Sequence, residues 1–242
     1  MTVPNESDWL CEGCGYVLTG LPAGGRCPEC GKLTSESTGE LRSIPDWERP
    51  ETGLAPARFL RTTAAVLFRP TRFYRSFATR SARNYSALFA QIHLILTAIL
   101  FGLAAWVHLD WFINLRPAAR IGAGIPWPAW PGLTLGAYLM LVVITRIAAR
   151  LTTLEATYRG IRLPLTVVRR GMDYHTAHYL PVGVLAAGTV LAYRLLLMHH
   201  PALGTAWGAA YLYLLCGEVV VCAAYLFRTY WVGMRNMMYA SR

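Results

Sequence analysis

Charged side chains are scarce in this chain. Asp, Glu, Lys and Arg make up 15% of its 242 residues, hydrophobic residues make up 55%, and the mean hydropathy is +0.34. Soluble globular domains carry about 25% charged residues, so this composition excludes an ordinary soluble domain of this length. The shortage of charge favours a membrane protein.

Motifs for catalysis are also missing. The sequence contains no P-loop, no Gly-x-Ser-x-Gly, no His-Glu-x-x-His and no dinucleotide-binding fingerprint. The connections between its hydrophobic runs are too short to fold as a catalytic domain. We therefore expect a protein that is not an enzyme.

Acidic side chains become rare after the first quarter of the chain. Residues 1–57 hold four basic and nine acidic side chains, a net charge of −5, whereas the remaining 185 residues hold 19 basic and four acidic, a net charge of +15. A basic excess can indicate nucleic-acid binding. Here it lies beside apolar runs, where it orients a membrane protein.

Four hydrophobic runs are each long enough to cross a bilayer, which takes roughly 20 mostly apolar residues. We predict transmembrane helices at about 86–109, 131–149, 177–198 and 203–227. A large buried core in a soluble helical protein is the alternative, but four such runs in one short chain favour lipid. The predicted fold class is an all-α integral membrane bundle of four transmembrane helices, occupying residues 84–242.

The distribution of arginine and lysine predicts the orientation of these helices. Eleven basic residues precede the first span, two separate the first from the second, six accompany the next connection, none separates the third from the fourth, and three follow. Because basic residues concentrate on the cytoplasmic side, we expect both termini in the cytoplasm, with residues 112–128 and 199–202 outside. The first ten residues are polar and acidic, so we expect no cleavable signal peptide.

Four of the six cysteines form one pattern, a Cys-x2-Cys pair followed after twelve residues by a second pair. Its members are Cys11, Cys14, Cys27 and Cys30. In a reducing cytoplasm this spacing indicates a metal site rather than a disulfide framework. Gly13, Gly15 and Gly31 supply the permissive backbone that such tight turns require. Two turns of this kind close a tetrahedral site of four sulfur ligands.

The string CEGCGYVLTGLPAGGRCPECG, residues 11–31, resembles the short N-terminal zinc ribbon of many uncharacterised bacterial membrane proteins. The resemblance implies a ribbon in residues 1–32, four cysteines acting as structural zinc ligands, and a place in the bacterial cytoplasmic (inner) membrane. The knuckles are also similar to those of rubredoxin, where four sulfurs hold redox-active iron. Rubredoxin separates its knuckles more widely around an aromatic core, whereas only Tyr16 and Trp9 are available here. Zinc is therefore favoured over iron.

Two segments connect the ribbon to the first span. Residues 33–57 are rich in Ser, Thr, Glu and Pro, so we predict a flexible acidic linker that is extended or disordered. In residues 58–83, apolar side chains alternate with seven arginines, which predicts a basic amphipathic interfacial segment of two short helices split at Pro70. We expect anionic lipid headgroups as its partners, and regard nucleic acid as the weaker alternative. Residues 58–228 also show a diffuse resemblance to the Yip1 type of membrane protein.

One carboxylate lies near the middle of a predicted span, where ionisable groups are costly and suggest function. This residue is Glu218, and Tyr211, Cys222 and Tyr225 share its helical face. His93 lies at a similar depth in the first span, so we predict an intramembrane polar pair of His93 and Glu218. The pair either fixes the helix register or handles protons or ions. The lack of a second acidic residue in any span favours the first.

Two histidines lie three residues apart. His175 and His178 share a helix face, a spacing that can ligate metal. Only Asp173 and Glu155 are at hand to complete the ligand set. We therefore regard these histidines as a weak second metal site.

Three hypotheses of function follow from these features. The leading one is a structural or interaction subunit of a larger membrane complex, whose cytoplasmic zinc ribbon docks a protein partner. The acidic charge of residues 1–57 favours a basic protein, or the chain's own arginine-rich face, as that partner. The second hypothesis is a small transporter or channel that uses Glu218 and His93. The third is an iron-bearing electron-transfer subunit with a rubredoxin-like knuckle.

Overall fold

The computed structural model of the chain describes residues 8–22, 24–37, 42–78, 85–114, 127–161, 163–200, 202 and 206–238. Within these ranges the regular secondary structure is helical, and β-pairing is limited to three isolated bridges. The predicted all-helical class is confirmed to this extent.

Seven α-helices carry the fold in the described residues. They are α1 (Ala55–Phe68), α2 (Pro70–Ser76), α3 (Ser86–Asn114), α4 (Ala129–Tyr158), α5 (Leu165–His175), α6 (Tyr179–His199) and α7 (Gly208–Met237). Four stretches are long and apolar enough to cross a membrane, namely Ser86–Asp110, α4, Leu165–His199 and α7. This confirms the four predicted apolar helices, although α4 extends nine residues and α7 ten residues past their predicted ends. The predicted start of the fourth, at residue 203, lies outside the described residues.

The third apolar stretch is not a uniform α-helix. A short 3-10 turn, Thr176–His178, separates α5 from α6. Pro181 follows it in the first turn of α6, where it has no N–H to donate and its ring crowds the carbonyl four residues earlier. The proline therefore accounts for the tightened turn between the two helices.

Helices α1 and α2 form the segment that we predicted to be amphipathic. Helix α1 ends at Phe68 and Pro70 begins α2 one residue after Arg69, so the predicted split at this proline is confirmed. One face of α1 is buried through Thr62 and Val66, whereas Leu60 and Phe68 are exposed. An apolar side chain that is exposed beside arginines is typical of a helix at a membrane surface.

The described chain divides into two compact units. Unit 1 is formed by Met1–Gln91, Thr145–Ala177 and Arg228–Arg242, and unit 2 by Ile92–Ile144 and His178–Phe227. Each unit has its own buried residues.

Aromatic rings form the core of unit 1. Phe89 lies 5.2 Å from Phe59 and 4.9 Å from Tyr174, measured between ring centroids. Tyr174 also contacts Phe73 and Phe77, each at 5.4 Å. Rings at these separations attract one another beyond the benefit of burying their area. The core therefore joins α1, α2, α3 and α5.

A buried ion pair lies beside this aromatic core. Arg170 Nη2 donates to Glu48 Oε2 at 2.8 Å, and the side chains are 3% and 0% exposed, respectively. The Tyr174 hydroxyl donates to the other carboxylate oxygen of Glu48 at 2.7 Å. Arg170 also donates to the carbonyl of Ala78 and lies 5.2 Å from the centre of the Phe77 ring. Both charges are thus compensated away from water, as burial requires.

The segment predicted as a flexible linker carries more structure than an extended chain. Residues Thr34–Ser37, Asp46–Glu48 and Pro50–Thr52 form short 3-10 helices. Trp47 is buried, and its indole N–H donates to the carbonyl of Tyr85 at 2.8 Å. The difference arises because Trp47 and Glu48 each find a partner that is distant in sequence, which local composition does not reveal.

Unit 2 is packed through small and aromatic residues. A Cβ atom at Gly183 would lie 3.2 Å from the Thr97 side chain, so this glycine permits close approach of α6 to α3. Ala187 is buried one turn further along. On α7, Tyr211 stacks on Tyr193 at 3.9 Å between centroids. The Gly183-x3-Ala187 pair thus provides the close helix contact that such spacing predicts.

Removal of the Glu48 carboxylate tests the buried ion pair. Glu48→Ala leaves the Arg170 guanidinium buried without its partner, and we expect the free energy of unfolding to fall by about 3–5 kcal/mol. Reversible unfolding in mixed detergent micelles, followed by circular dichroism, measures this change. The matched control is Glu51→Ala, an exposed glutamate three residues away, which should change stability by less than about 0.5 kcal/mol. Equal effects of the two substitutions would contradict the assignment.

Candidate metal centre

The two Cys-x2-Cys knuckles have the same backbone geometry. In the first, Cys11 N–H donates to the carbonyl of Tyr16 and Gly15 N–H donates to the carbonyl of Cys11, both at 2.8 Å. In the second, Cys27 and Gly31 repeat the pattern at 2.8 and 2.9 Å. An isolated bridge closes each knuckle, Leu10 with Val17 and Arg26 with Leu33. The two turns thus present their cysteines in equivalent ways.

Two glycines allow these turns to close. Gly15 has φ 81° and Gly31 has φ 72°, in the left-handed region that residues with a Cβ rarely adopt. Gly13 serves differently, because its φ is not in that region. A Cβ there would lie 3.4 Å from Cys30 Sγ, so Gly13 leaves room for the sulfur of the opposite knuckle.

The four sulfur atoms converge on one point. All lie within 4.8 Å of one another. Cys11 Sγ lies 3.5 Å from Cys30 Sγ, and Cys14 Sγ lies 3.6 Å from Cys27 Sγ. Tetrahedral coordination with bonds near 2.3 Å places neighbouring sulfurs about 3.8 Å apart, so the cluster fits a four-sulfur metal site. With four protein ligands such a site is closed, which is typical of a structural metal.

A small core supports the cluster. Cys11, Cys27 and Leu18 are buried together, and Trp9 packs against them. The Trp9 indole N–H donates to the carbonyl of Ser37 at 2.7 Å, which joins the beginning of the ribbon to the segment that follows it. Cys30 is exposed, so the metal centre lies close to the ribbon surface.

Ionisation of the thiols differs across the cluster. Burial opposes ionisation of Cys11, but the backbone N–H groups of Gly13 and Cys14 stabilise its thiolate, and its pKa falls to about 7. Burial raises the pKa of the Cys14 thiol to about 12. Since metal ions bind thiolates, metal binding must displace protons, and the affinity should decrease as the pH is lowered.

Arg42 joins the ribbon to the helices of unit 1. Its Nε donates to Glu12 Oε1 at 2.8 Å, with the two side chains 5% and 13% exposed. Its Nη1 donates to the carbonyl of Phe77 at 3.1 Å, and longer contacts of 3.5 Å reach the carbonyls of Tyr74 and Asn236. Glu12 belongs to the first knuckle. The four-cysteine cluster is therefore held against the helices of unit 1 by a buried guanidinium.

The predicted intramembrane pair consists of two residues in different surroundings within unit 2. His93 is fully buried, whereas Glu218 is partly exposed. The neighbours that share the Glu218 face turn inward, since Tyr211 and Cys222 are both buried. A hydrogen bond between His93 and Glu218 stays a prediction.

The two histidines proposed as a weak second site contact aromatic residues. The His175 ring lies edge-on to Tyr230 at 6.4 Å in unit 1. In unit 2, His178 Nδ1 lies 2.7 Å from the hydroxyl of Tyr225. Among the described residues, the four cysteines form the only group of three or more metal-ligating side chains close enough to share an ion. A metal shared by His175 and His178 stays a prediction.

Sequence reasoning missed the residues that hold the ribbon and the segment after it in place. Arg42, Glu48 and Arg170 were counted only as charges of the linker and of the positive cytoplasmic side. Trp47 was the available signal, because a large aromatic residue inside a segment predicted to be disordered indicates a buried contact.

Substitution of the second knuckle tests the metal site. We expect about one metal ion per chain by elemental analysis, and loss of that ion in Cys27→Ser/Cys30→Ser, because two ligands cannot close a four-sulfur site. Cys216→Ser, an exposed cysteine of α7, is the control and should retain the metal. Retention of stoichiometric metal by the double variant would refute the site.

The chain was compared with protein-family models, curated proteins and solved structures. No family model, no curated protein and no solved structure matches it. The resemblance of residues 11–31 to a short zinc ribbon, and that of residues 58–228 to the Yip1 type, therefore stay predictions. The chemistry assigned to the metal centre follows from its own geometry.

Proposed function

We propose that this protein is an integral membrane subunit whose metal ribbon provides a docking surface for a partner protein. The observation that carries the proposal is the closed four-sulfur cluster, which suits a metal that shapes a surface rather than one that binds a substrate. The ribbon is moreover held by Arg42, so its surface has a fixed orientation within unit 1.

The metal in this proposal is zinc. Four converging cysteine sulfurs suit both zinc and iron. The cluster packs on Leu18 and Trp9, and the described residues of the ribbon form no wide aromatic core of the rubredoxin kind between the knuckles, so we favour the ion that is not redox-active. Ferric iron bound by four sulfurs absorbs visible light, whereas zinc is colourless. A coloured protein with stoichiometric iron would support the electron-transfer alternative.

The proposed location is the bacterial cytoplasmic membrane, with both termini and the ribbon in the cytoplasm. Four apolar helices support insertion, and the arginine distribution supports the orientation. The exposed apolar residues Leu60 and Phe68 of α1 would enter the lipid surface, and neighbouring arginines would contact anionic headgroups.

The ribbon surface most suited to docking lies on the first knuckle. Tyr16 and Val17 are adjacent and exposed, at 39% and 37% of their surfaces. Aromatic side chains are enriched in the parts of interfaces that contribute most to affinity. Asp8 and Glu29 lie in the same ribbon and Glu36 lies in the segment that follows it, so the partner expected is a basic protein that buries Tyr16.

Cross-linking from Tyr16 tests the docking role. A photo-reactive residue at position 16 of the full chain in native membranes should yield one defined protein adduct. Tyr16→Ala/Val17→Ala should abolish co-purification of that protein while retaining the metal, because it removes the apolar contact and no ligand. The matched control is Leu60→Ala, an exposed apolar residue outside the ribbon, which should retain the partner. Unchanged co-purification in the double variant would contradict the proposal.

Ion or proton transport is the second candidate. It is favoured by the position of Glu218 within α7, on a face whose Tyr211 and Cys222 are buried. A carboxylate at membrane depth must be paired, protonated or hydrated, because leaving it bare in lipid costs several kcal/mol.

Glu218→Gln separates this candidate from the docking role. If Glu218 is structural, the amide keeps a hydrogen bond, and stability and assembly should stay close to wild type. Glu218→Leu should then cost about 1–2 kcal/mol, with partial rescue by His93→Leu. Flux driven by a pH or ion gradient in reconstituted vesicles, present in wild type and absent in Glu218→Gln, would establish transport instead.

A further inference from the structure

A cleft in unit 1 concentrates positive charge. It has a volume of about 410 Å³ and lies between the 3-10 helices of residues 46–52 and the helices α1 and α2. Its wall carries the arginines Arg49, Arg61 and Arg72, opposed by a single carboxylate, Asp46. These groups sum to a net charge of +2 in a concave site, where a field is stronger than on a flat surface.

Two of the arginines are fixed in place before any ligand arrives. Asp46 accepts hydrogen bonds from Arg49 Nη2 and, at 3.3 Å, from Arg61 Nε. Arg61 Nη2 also donates to the carbonyl of Thr52 at 2.7 Å. Such a fixed arrangement lowers the entropy lost on binding.

These contacts do not engage all the hydrogen-bond donors of the arginines in the cleft. Arg49 Nε is buried and has no hydrogen-bond acceptor within the described part of the chain. The Arg72 side chain is exposed, and the ion pairs of the described residues do not include it. The cleft therefore offers guanidinium groups that a bound anion would satisfy.

The shape of these donors points to the class of ligand. Guanidinium groups match the oxygens of a phosphate in paired hydrogen bonds, and a phosphate accepts from several at once. Phe73 and Phe77 also line the cleft, but both rings are buried and present no face on which a nucleic-acid base could stack. The ligand expected is a phosphate group without a base.

We propose that Arg49, Arg61 and Arg72 form a binding site for the phosphate group of an anionic ligand. The phosphate is that of a phospholipid headgroup or of a small soluble ester, since both present the same oxygens. The sequence predicts that residues 58–83 as a whole attract anionic headgroups. The proposed site is more specific, because it is a single cleft and also includes Arg49. It rests on the geometry of unit 1 and is independent of whether the ribbon docks a partner.

The binding experiment uses the full chain in a non-ionic detergent and has two arms. In the first, inorganic phosphate is titrated into the protein by calorimetry. In the second, the protein in detergent is mixed with phosphatidylglycerol and phosphatidylcholine. Native mass spectrometry then counts the phosphatidylglycerol molecules that the protein retains. The first arm reports a soluble phosphate and the second a lipid headgroup.

Arg72→Gln is the diagnostic substitution, because this exposed side chain forms no ion pair with any described residue, so its loss should leave the fold intact. We expect it to weaken binding about tenfold or more in at least one arm, since it removes a charged hydrogen bond. Arg72→Lys keeps the positive charge but not the planar guanidinium that can donate two parallel hydrogen bonds, so it should weaken binding less than Arg72→Gln. The matched control is Arg75→Gln, an exposed arginine of the same helix outside the cleft, which should stay within twofold of wild type.

Each outcome decides the proposal. Loss in both arms supports a site for the phosphate group itself, and loss only in the lipid arm identifies a headgroup as its source. Loss only in the soluble arm identifies a small phosphate ester. Equal losses in Arg72→Gln and Arg75→Gln would indicate diffuse attraction and overturn the site. Absence of binding in both arms would overturn it as well.

Discussion

The buried guanidinium of Arg42 is the contact on which the organisation of unit 1 depends. It pairs with Glu12 of the first knuckle and donates to the carbonyl of Phe77, at the end of α2. A buried charge of this kind is stable only while its partners are present, because its removal from water must be compensated. The ribbon, the following segment and the helices are therefore linked by one side chain.

This link bears on the role of the candidate metal site, because it fixes the position of the ribbon. A ribbon on a flexible linker would act through a high local concentration alone, whereas a ribbon held by Arg42 on the helices of unit 1 presents one face in one orientation. The binding energy of a metal held by the four cysteines would stabilise the knuckles. The neighbouring cleft lined by Arg49, Arg61 and Arg72 depends on the same segment, since Asp46 lies beside Trp47. The four-cysteine cluster, the proposed docking surface and the proposed anion cleft thus depend on the same segment.

Much of the architecture could be predicted from the sequence. The four apolar helices follow from run length alone, the break at Pro70 follows from the missing N–H of proline, and the four cysteines follow from their spacing. These features are local, so sequence patterns report them directly. Apolar periodicity does not encode which metal is bound, which side of the membrane a terminus faces, or which side chains pair. The predictions of zinc, of the orientation and of a pair between His93 and Glu218 therefore stay predictions.

The order of residues 42–54 could not be predicted in the same way. A composition rich in Ser, Thr, Glu and Pro predicts disorder, because composition reports only how much apolar surface the segment itself can bury. It does not report contacts with residues about 120 positions away. Glu48 pairs with Arg170, 122 positions later, and Arg42 reaches Asn236, 194 positions later. Pairings of this range depend on how the helices assemble in unit 1. Hydrogen exchange of the full chain, measured by mass spectrometry for wild type and Arg42→Met, tests this account most directly. We predict faster exchange in residues 8–22 and in residues 70–78 of the variant, and an increase confined to the immediate neighbours of residue 42 would contradict the account.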